Sequence, residues 1–111
     1  MPYEVVLLGP AADFLRRTEP KLRAKAFRSI GLLQKFGPNL PKPHALRLTD
    51  YELYELRVRQ GSNICRLFYF VHQGTVFIVT SGYLKKADKT DKREIQRALR
   101  LKRQFIRGEH Q

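Results

Sequence analysis

Glu55, Arg57 and Arg59 alternate with Tyr54, Leu56 and Val58 in one short stretch, and Arg66 interrupts the otherwise apolar run Cys65 to Phe70. Side chains alternate across a strand, so the first stretch puts a carboxylate and two guanidiniums on one face and an apolar set on the other. A cation inside an apolar strand is costly unless its site is open or paired. The guanidinium also suits phosphate, because its planar fork makes two parallel hydrogen bonds and stays charged when partly desolvated. Lys85 and Lys86 follow the strand that ends near Gly82, and Lys89 lies in the loop beyond. Basic groups arriving from three segments over one sheet face would line a concave phosphate site. The competing reading is a cross-strand ion pair of Glu55 with Arg57 or Arg66 on a solvated sheet.

Other reactive side chains carry less. His44 could transfer a proton, since imidazole titrates near neutrality, although a surface histidine without a role is the better reading. His72 and His110 have no companions at metal-ligand spacing, so no metal is expected. Cys65 is the one cysteine, which excludes an internal disulfide and a cysteine-ligated zinc, and its apolar neighbours make it a core residue.

The elements that must hold these groups are legible from periodicity. Tyr3 to Leu8 reads as a buried strand closed by Gly9-Pro10. A short helix over Ala11 to Arg17 precedes a longer one from about Glu19 to Phe36, with Pro20 in its first turn and Gly37-Pro38 as its stop. Leu22, Ala26, Ile30 and Leu33 share a face of the longer helix, with Arg23, Lys25 and Arg28 away from it. Pro38, Pro41 and Pro43 hold Gly37 to Arg47 extended as a connector. Strands follow over Tyr51 to Arg59, Ile64 to His72 and Thr75 to Ser81, separated by Gln60-Gly61-Ser62-Asn63 and Gln73-Gly74, which predicts an antiparallel meander. The apolar face of the first should meet the helical hairpin and leave the charged face open. A last helix spans Asp91 to about Arg107, with Ile95, Ala98, Leu99, Lys102 and Ile106 on one face and Arg93, Arg97, Arg100 and Arg107 on another. The expected class is α+β in one domain over residues 1–111: an N-terminal strand and helical hairpin packed on an antiparallel sheet meander, then a C-terminal helix.

Charge narrows the function. The 111 residues carry 22 Lys+Arg against 10 Asp+Glu, a formal net charge of +12. Such a field attracts polyanions, nucleic acid first, with an acidic membrane or protein as rivals. The apolar stretch Met1 to Leu8 holds Glu4 in place of a basic leader and is too short for a signal peptide or membrane span, so a cytoplasmic protein without a membrane partner is expected.

Four segments in order, Tyr54-Glu55-Leu56-Arg57, Cys65 to Phe70, Ser81-Gly82-Tyr83-Leu84-Lys85-Lys86 and Glu94-Ile95-Gln96-Arg97-Ala98, resemble the RelE/ParE toxin superfamily, above all its HigB-like, phage-derived branch. The resemblance implies a type II toxin–antitoxin toxin that cleaves mRNA at the ribosome without metal or cofactor and is neutralised by a small antitoxin, of helix-turn-helix type in this branch. It implies catalytic or phosphate-stabilising roles for Arg57, Arg66, Lys85 and Lys86, with Glu55 orienting Arg57 or accepting a proton. Arg59, Lys89 and His44, by position and chemistry, and Tyr83 are the candidate RNA-binding residues. RelE itself carries a lysine where Glu55 stands, and RelE-type sites often end in a base-stacking tyrosine, for which Tyr83 is the substitute here. A ParE-like gyrase inhibitor shares the fold, and a binding module working through the basic last helix is a further alternative.

Overall fold

The computed structural model describes residues 3–40, 45–48, 50–85 and 90–108. Its elements are β1 (Glu4–Leu7), α1 (Gly9–Arg17), α2 (Pro20–Phe36), a single 3-10 turn (Gly37–Asn39), β2 (Ala45–Leu48), β3 (Leu53–Gln60), β4 (Asn63–His72), β5 (Val76–Lys85) and α3 (Lys92–Ile106). All five strands form one sheet in the order β1-β5-β4-β3-β2, with β1 parallel to β5 and the remaining pairs antiparallel. The α+β class and the meander expected from the turn residues are therefore present.

Local chemistry explains the boundaries. Pro10 lies in the first turn of α1, where a missing N–H costs nothing, so Gly9-Pro10 opens the helix instead of only closing the strand before it. Glu19 caps α2, its carboxylate accepting from the backbone N–H groups of Lys21 (3.1 Å) and Leu22 (2.9 Å). Gly37 ends that helix at φ 56°, and a Cβ there would lie 2.4 Å from the Tyr3 ring. Gln60 pairs with Asn63 across Gly61-Ser62, so the β3–β4 connection is a two-residue hairpin.

Three expectations change. The connector read as running to Arg47 contains β2, whose four residues pair with Leu53 to Leu56 of β3. Such a strand is too short to show alternation, and neighbouring prolines mask it. β5 does not stop at Gly82 but continues to Lys85, so Lys85 is a strand residue. The charged face of β3 is open only in part: Glu55 is buried, while Arg57 is half-exposed and Arg59 exposed, with α3 packed on the neighbouring β4 and β5.

The sheet is thus a middle layer with a core on each side. Against α1 and α2 lie Leu56, Val58, Cys65, Leu67, Tyr69, Phe77 and Val79, joined by Leu15, Leu22, Ala26 and Leu33 of the helices. Leu53, Phe68, Phe70 and Ile78 on the opposite face meet Ile95 and Ala98 of α3. Cys65 is fully buried in the hairpin-side core, and that burial pushes its thiol pKa up to about 12, which suits packing and not nucleophilic attack. On α3, Phe105 makes edge contacts with Phe70 and His72 and takes the place expected of Ile106, which is 61% exposed. Lys102 remains on the core stripe through its stem, its Nζ lying 5.3 Å above the Phe70 ring and bonding the Glu52 carbonyl at 3.0 Å.

Gly82 lets Phe14 of α1 pack close against the sheet. A Cβ built there would sit 2.6 Å from Leu67 Cδ2 and 2.7 Å from Phe14 Cδ2. We predict that Gly82→Ala costs ~1–3 kcal/mol by overpacking. Urea unfolding would show this as a lower midpoint at unchanged slope, and an unshifted midpoint would mean that Phe14 and Leu67 yield freely.

Candidate functional site

β3 and β4 place Arg57 directly opposite Arg66, with Glu55 two residues along the same face of β3. Two guanidiniums facing each other would repel, and the carboxylate offsets this. Glu55 Oε1 accepts from Arg66 Nη1 at 2.8 Å and from Arg57 Nε at 3.3 Å. Its other oxygen, Oε2, accepts from the Thr90 hydroxyl at 2.8 Å, and Arg66 Nη1 also donates to Thr90 Oγ1 at 3.0 Å. Glu55 is wholly buried and the Arg66 side chain 5% exposed, whereas Arg57 is 39% exposed and forms the open lip of the cluster. The ion pair anticipated on a solvated sheet exists, but it is buried where α3 begins.

β5 adds Tyr83 and Lys85 on the same face. Tyr83 stands opposite Arg66 and stacks on Phe68 with ring centroids 5.7 Å apart, while its hydroxyl accepts from the backbone N–H of Asp91 at 3.1 Å. Asp91 is the N-cap of α3, accepting from Arg93 N at 2.9 Å, so the helix start is pinned to the sheet beside the cluster. Lys85 is 6% exposed, its Nζ 6.0 Å from the Tyr83 ring centroid, and that ammonium has no hydrogen-bond partner among the described residues. Burial lowers the Lys85 pKa, and the nearby Arg66 charge lowers it further. Burial likewise raises the Tyr83 phenol.

The structure thus brings Glu55, Arg57, Arg66, Tyr83 and Lys85 together. Arg59, exposed and on the same face of β3 beyond Arg57, joins none of these hydrogen bonds; its carbonyl accepts from Lys25 Nζ at 3.3 Å. Lys86, Lys89 and His44 lie outside the described residues. Thr90 was not anticipated, because a lone threonine before a helix cap carries neither charge nor periodicity. A groove lined by Phe14, Leu22 and Leu84, with Arg17 and Glu19, shares none of the cluster's residues. Three cations around one buried carboxylate leave excess positive charge at a partly open site, which is the electrostatic requirement for holding an oxyanion.

The chain has an α+β fold similar to that of solved RelE structures. A double-arginine mutant of Escherichia coli toxin RelE in the free state is similar over 93% of this chain and 98% of its own, at TM-score 0.63 and 19% identity. RelE in the archaeal RelE–RelB complex from Pyrococcus horikoshii is similar over 80% and 100%, at TM-score 0.58 and 18% identity. The intact E. coli RelBE toxin–antitoxin complex gives 78% and 99%, TM-score 0.56 and 20% identity. No curated protein sequence matches the chain. Residues 13–103 match the family described as phage derived protein Gp49-like (DUF891), and the chain belongs to that family.

Lys85 sets a test of the buried charge. Below its lowered pKa it is protonated both folded and unfolded, and the native state bears the full desolvation cost. Between that value and the ordinary 10.5, the unfolded chain holds the extra proton, so stability rises with pH. Replacing a buried charge by an apolar group of similar length often stabilises by ~1–4 kcal/mol. We predict that Lys85→Met gains about 1 kcal/mol at neutral pH, roughly 4–8 °C in Tm for a chain of this size. The gain should shrink as pH approaches 10.5. Thermal unfolding from neutral to alkaline pH would show it, and an advantage that grows with pH contradicts it.

Proposed function

We propose that this protein is the toxin of a type II toxin–antitoxin system, an endoribonuclease that cuts mRNA at the ribosome without a metal ion and is held inactive by a cognate antitoxin. The observation carrying this reading is the buried Lys85 ammonium on the sheet face that also holds Arg66 and Arg57, a cationic site whose one fully buried carboxylate already accepts from both arginines and Thr90. The RelE likeness and the Gp49-like family supply the biological setting, and the RelE–RelB and RelBE complexes support an antitoxin as partner. Helix-turn-helix character in that antitoxin is proposed from the HigB-like resemblance, and a cytoplasmic location is proposed beside it. None of the described helices is long and apolar enough to cross a membrane.

In the proposed reaction the 2′-oxygen of one nucleotide attacks the adjacent phosphorus, loses its proton and displaces the 5′-oxygen of the next nucleotide, which takes up a proton. The products are a 2′,3′-cyclic phosphate and a 5′-hydroxyl. Arg57 at the lip meets the phosphate first. Arg66 and Lys85 add charge from beneath, where the low dielectric makes each charge count for more than it would in water. Glu55, saturated by three donors, orients both arginines. The lowered pKa of Lys85 makes its proton easier to give up, which fits it to pass a proton to the leaving oxygen. Lys86 keeps its role from the resemblance, and Arg59, Tyr83, Lys89 and His44 remain the proposed contacts along the RNA path.

One assay separates this chemistry from its rivals. Cleavage of mRNA in programmed ribosomes, with free magnesium buffered to keep the ribosome intact, should persist in EDTA and yield the cyclic phosphate or its hydrolysed form. A 2′-deoxy substitution at the scissile nucleotide should stop cutting while leaving phosphate-driven binding largely intact. Undiminished cutting of the deoxy substrate would defeat the mechanism. Absence of cutting together with inhibition of gyrase supercoiling would establish a ParE-like function instead.

A further inference from the structure

Thr90 makes a contact that nothing in the reading above requires. Its single hydroxyl proton goes to Glu55 Oε2, and the oxygen accepts from Arg66 Nη1, which also donates to Glu55 Oε1. The three side chains therefore close a ring: carboxylate to guanidinium, guanidinium to hydroxyl, hydroxyl to the other carboxylate oxygen. Only a group that donates and accepts at one atom can complete such a ring, so serine could replace threonine there, and valine or alanine could not. The ring fixes two torsions that the ion pair alone leaves soft, the terminal rotation of Glu55 and the plane of the Arg66 guanidinium. Thr90 is itself held through its neighbour. Asp91, the next residue, caps α3, and its N–H bonds the Tyr83 hydroxyl on β5.

We propose that Thr90 is a positioning residue for Arg66, so that the docked start of α3 sets the geometry of the phosphate site from 24 residues along the chain. This rests on the ribonuclease reading for its catalytic consequence but not for its structural content. The surface arginines of α3 are dispensable for it, because the link runs through one hydroxyl and one cap.

The test pairs a readout of Arg66 with a readout of turnover. In nitrogen-15 NMR of the folded protein, exchange of the Arg66 Nη protons with water should quicken about tenfold in Thr90→Val, the size expected for losing one charge-assisted hydrogen bond. Thr90→Ser should stay within about twofold of wild type, the hydroxyl being retained. On programmed ribosomes Thr90→Val should lower kcat by about 10–100-fold with KM little changed, since a misaligned group loses transition-state contacts more than binding, and Thr90→Ser should restore it. If Thr90→Val does not fold, Thr90→Ala replaces it with the same expectations. Wild-type exchange in a folded variant lacking the hydroxyl overturns the proposal, as does a folded Thr90→Ser that behaves like Thr90→Val. Wild-type protein that cuts no RNA would defeat the ribonuclease reading, while the exchange measurement still decides the role of Thr90.

Discussion

A carboxylate buried completely inside a small domain is the constraint around which the rest of the structure is arranged. Glu55 has no access to water, so its charge has to be met by protein donors, and these come from β3, β4 and Thr90, next to the α3 cap. Desolvating such a pair offsets much of its Coulomb attraction, so the interaction adds little net stability over an apolar core. Its geometry is nonetheless demanding. The β3–β4 register must hold Arg66 diagonal to Glu55, and α3 must begin at a place where Thr90 can reach both. A slip of one residue in β3 would turn Glu55 to the hairpin side, toward Leu22, Leu33 and Leu67, and carry Leu56 and Val58 off that core.

The two cores divide the work of enforcing that register. On the hairpin side, fully buried leucines and the stacked rings of Tyr54, Tyr69 and Phe77 fix the sheet. On the other side α3 is held by a smaller set of residues, Ile95, Ala98, Leu99 and Phe105 among them, and by polar attachments at its start. The helix whose start borders the charge cluster thus rests on fewer apolar contacts than the helices across the sheet, and the cluster lies at the more weakly held layer.

Much of this was legible in the sequence because alternation and turn chemistry are local signals. Glu55, Arg57 and Arg66 stood out as charges at strand spacing, and their common face followed from the two-residue period. The rest was hidden for physical reasons. β2 is four residues long and follows prolines, so pairing with β3, not its own propensity, makes it a strand. The charged face looked open because a strand pattern does not reveal what packs upon it. Lys85 was read as a loop residue because Gly82 resembles a stop, yet that glycine is there to admit Phe14 and Leu67. Thr90 lies 35 residues from Glu55, and such a contact exists only once the fold does.

Burial also separates two kinds of positive charge that composition lumps together. Arg93, Arg100 and Arg103 on α3 are exposed, as is Arg59 at the end of β3, and in physiological salt their fields decay within ~8–10 Å. Such groups attract a polyanion without orienting it. Arg66 and Lys85 are shielded from solvent, so salt screens them far less, and their positions are set by the sheet and not by flexible stems. A dozen excess positive charges would serve many nucleic-acid-binding proteins. What makes this chain a candidate for chemistry is that two of its cations are held at a desolvation cost beside a half-exposed third, in a geometry that surface attraction alone would never require.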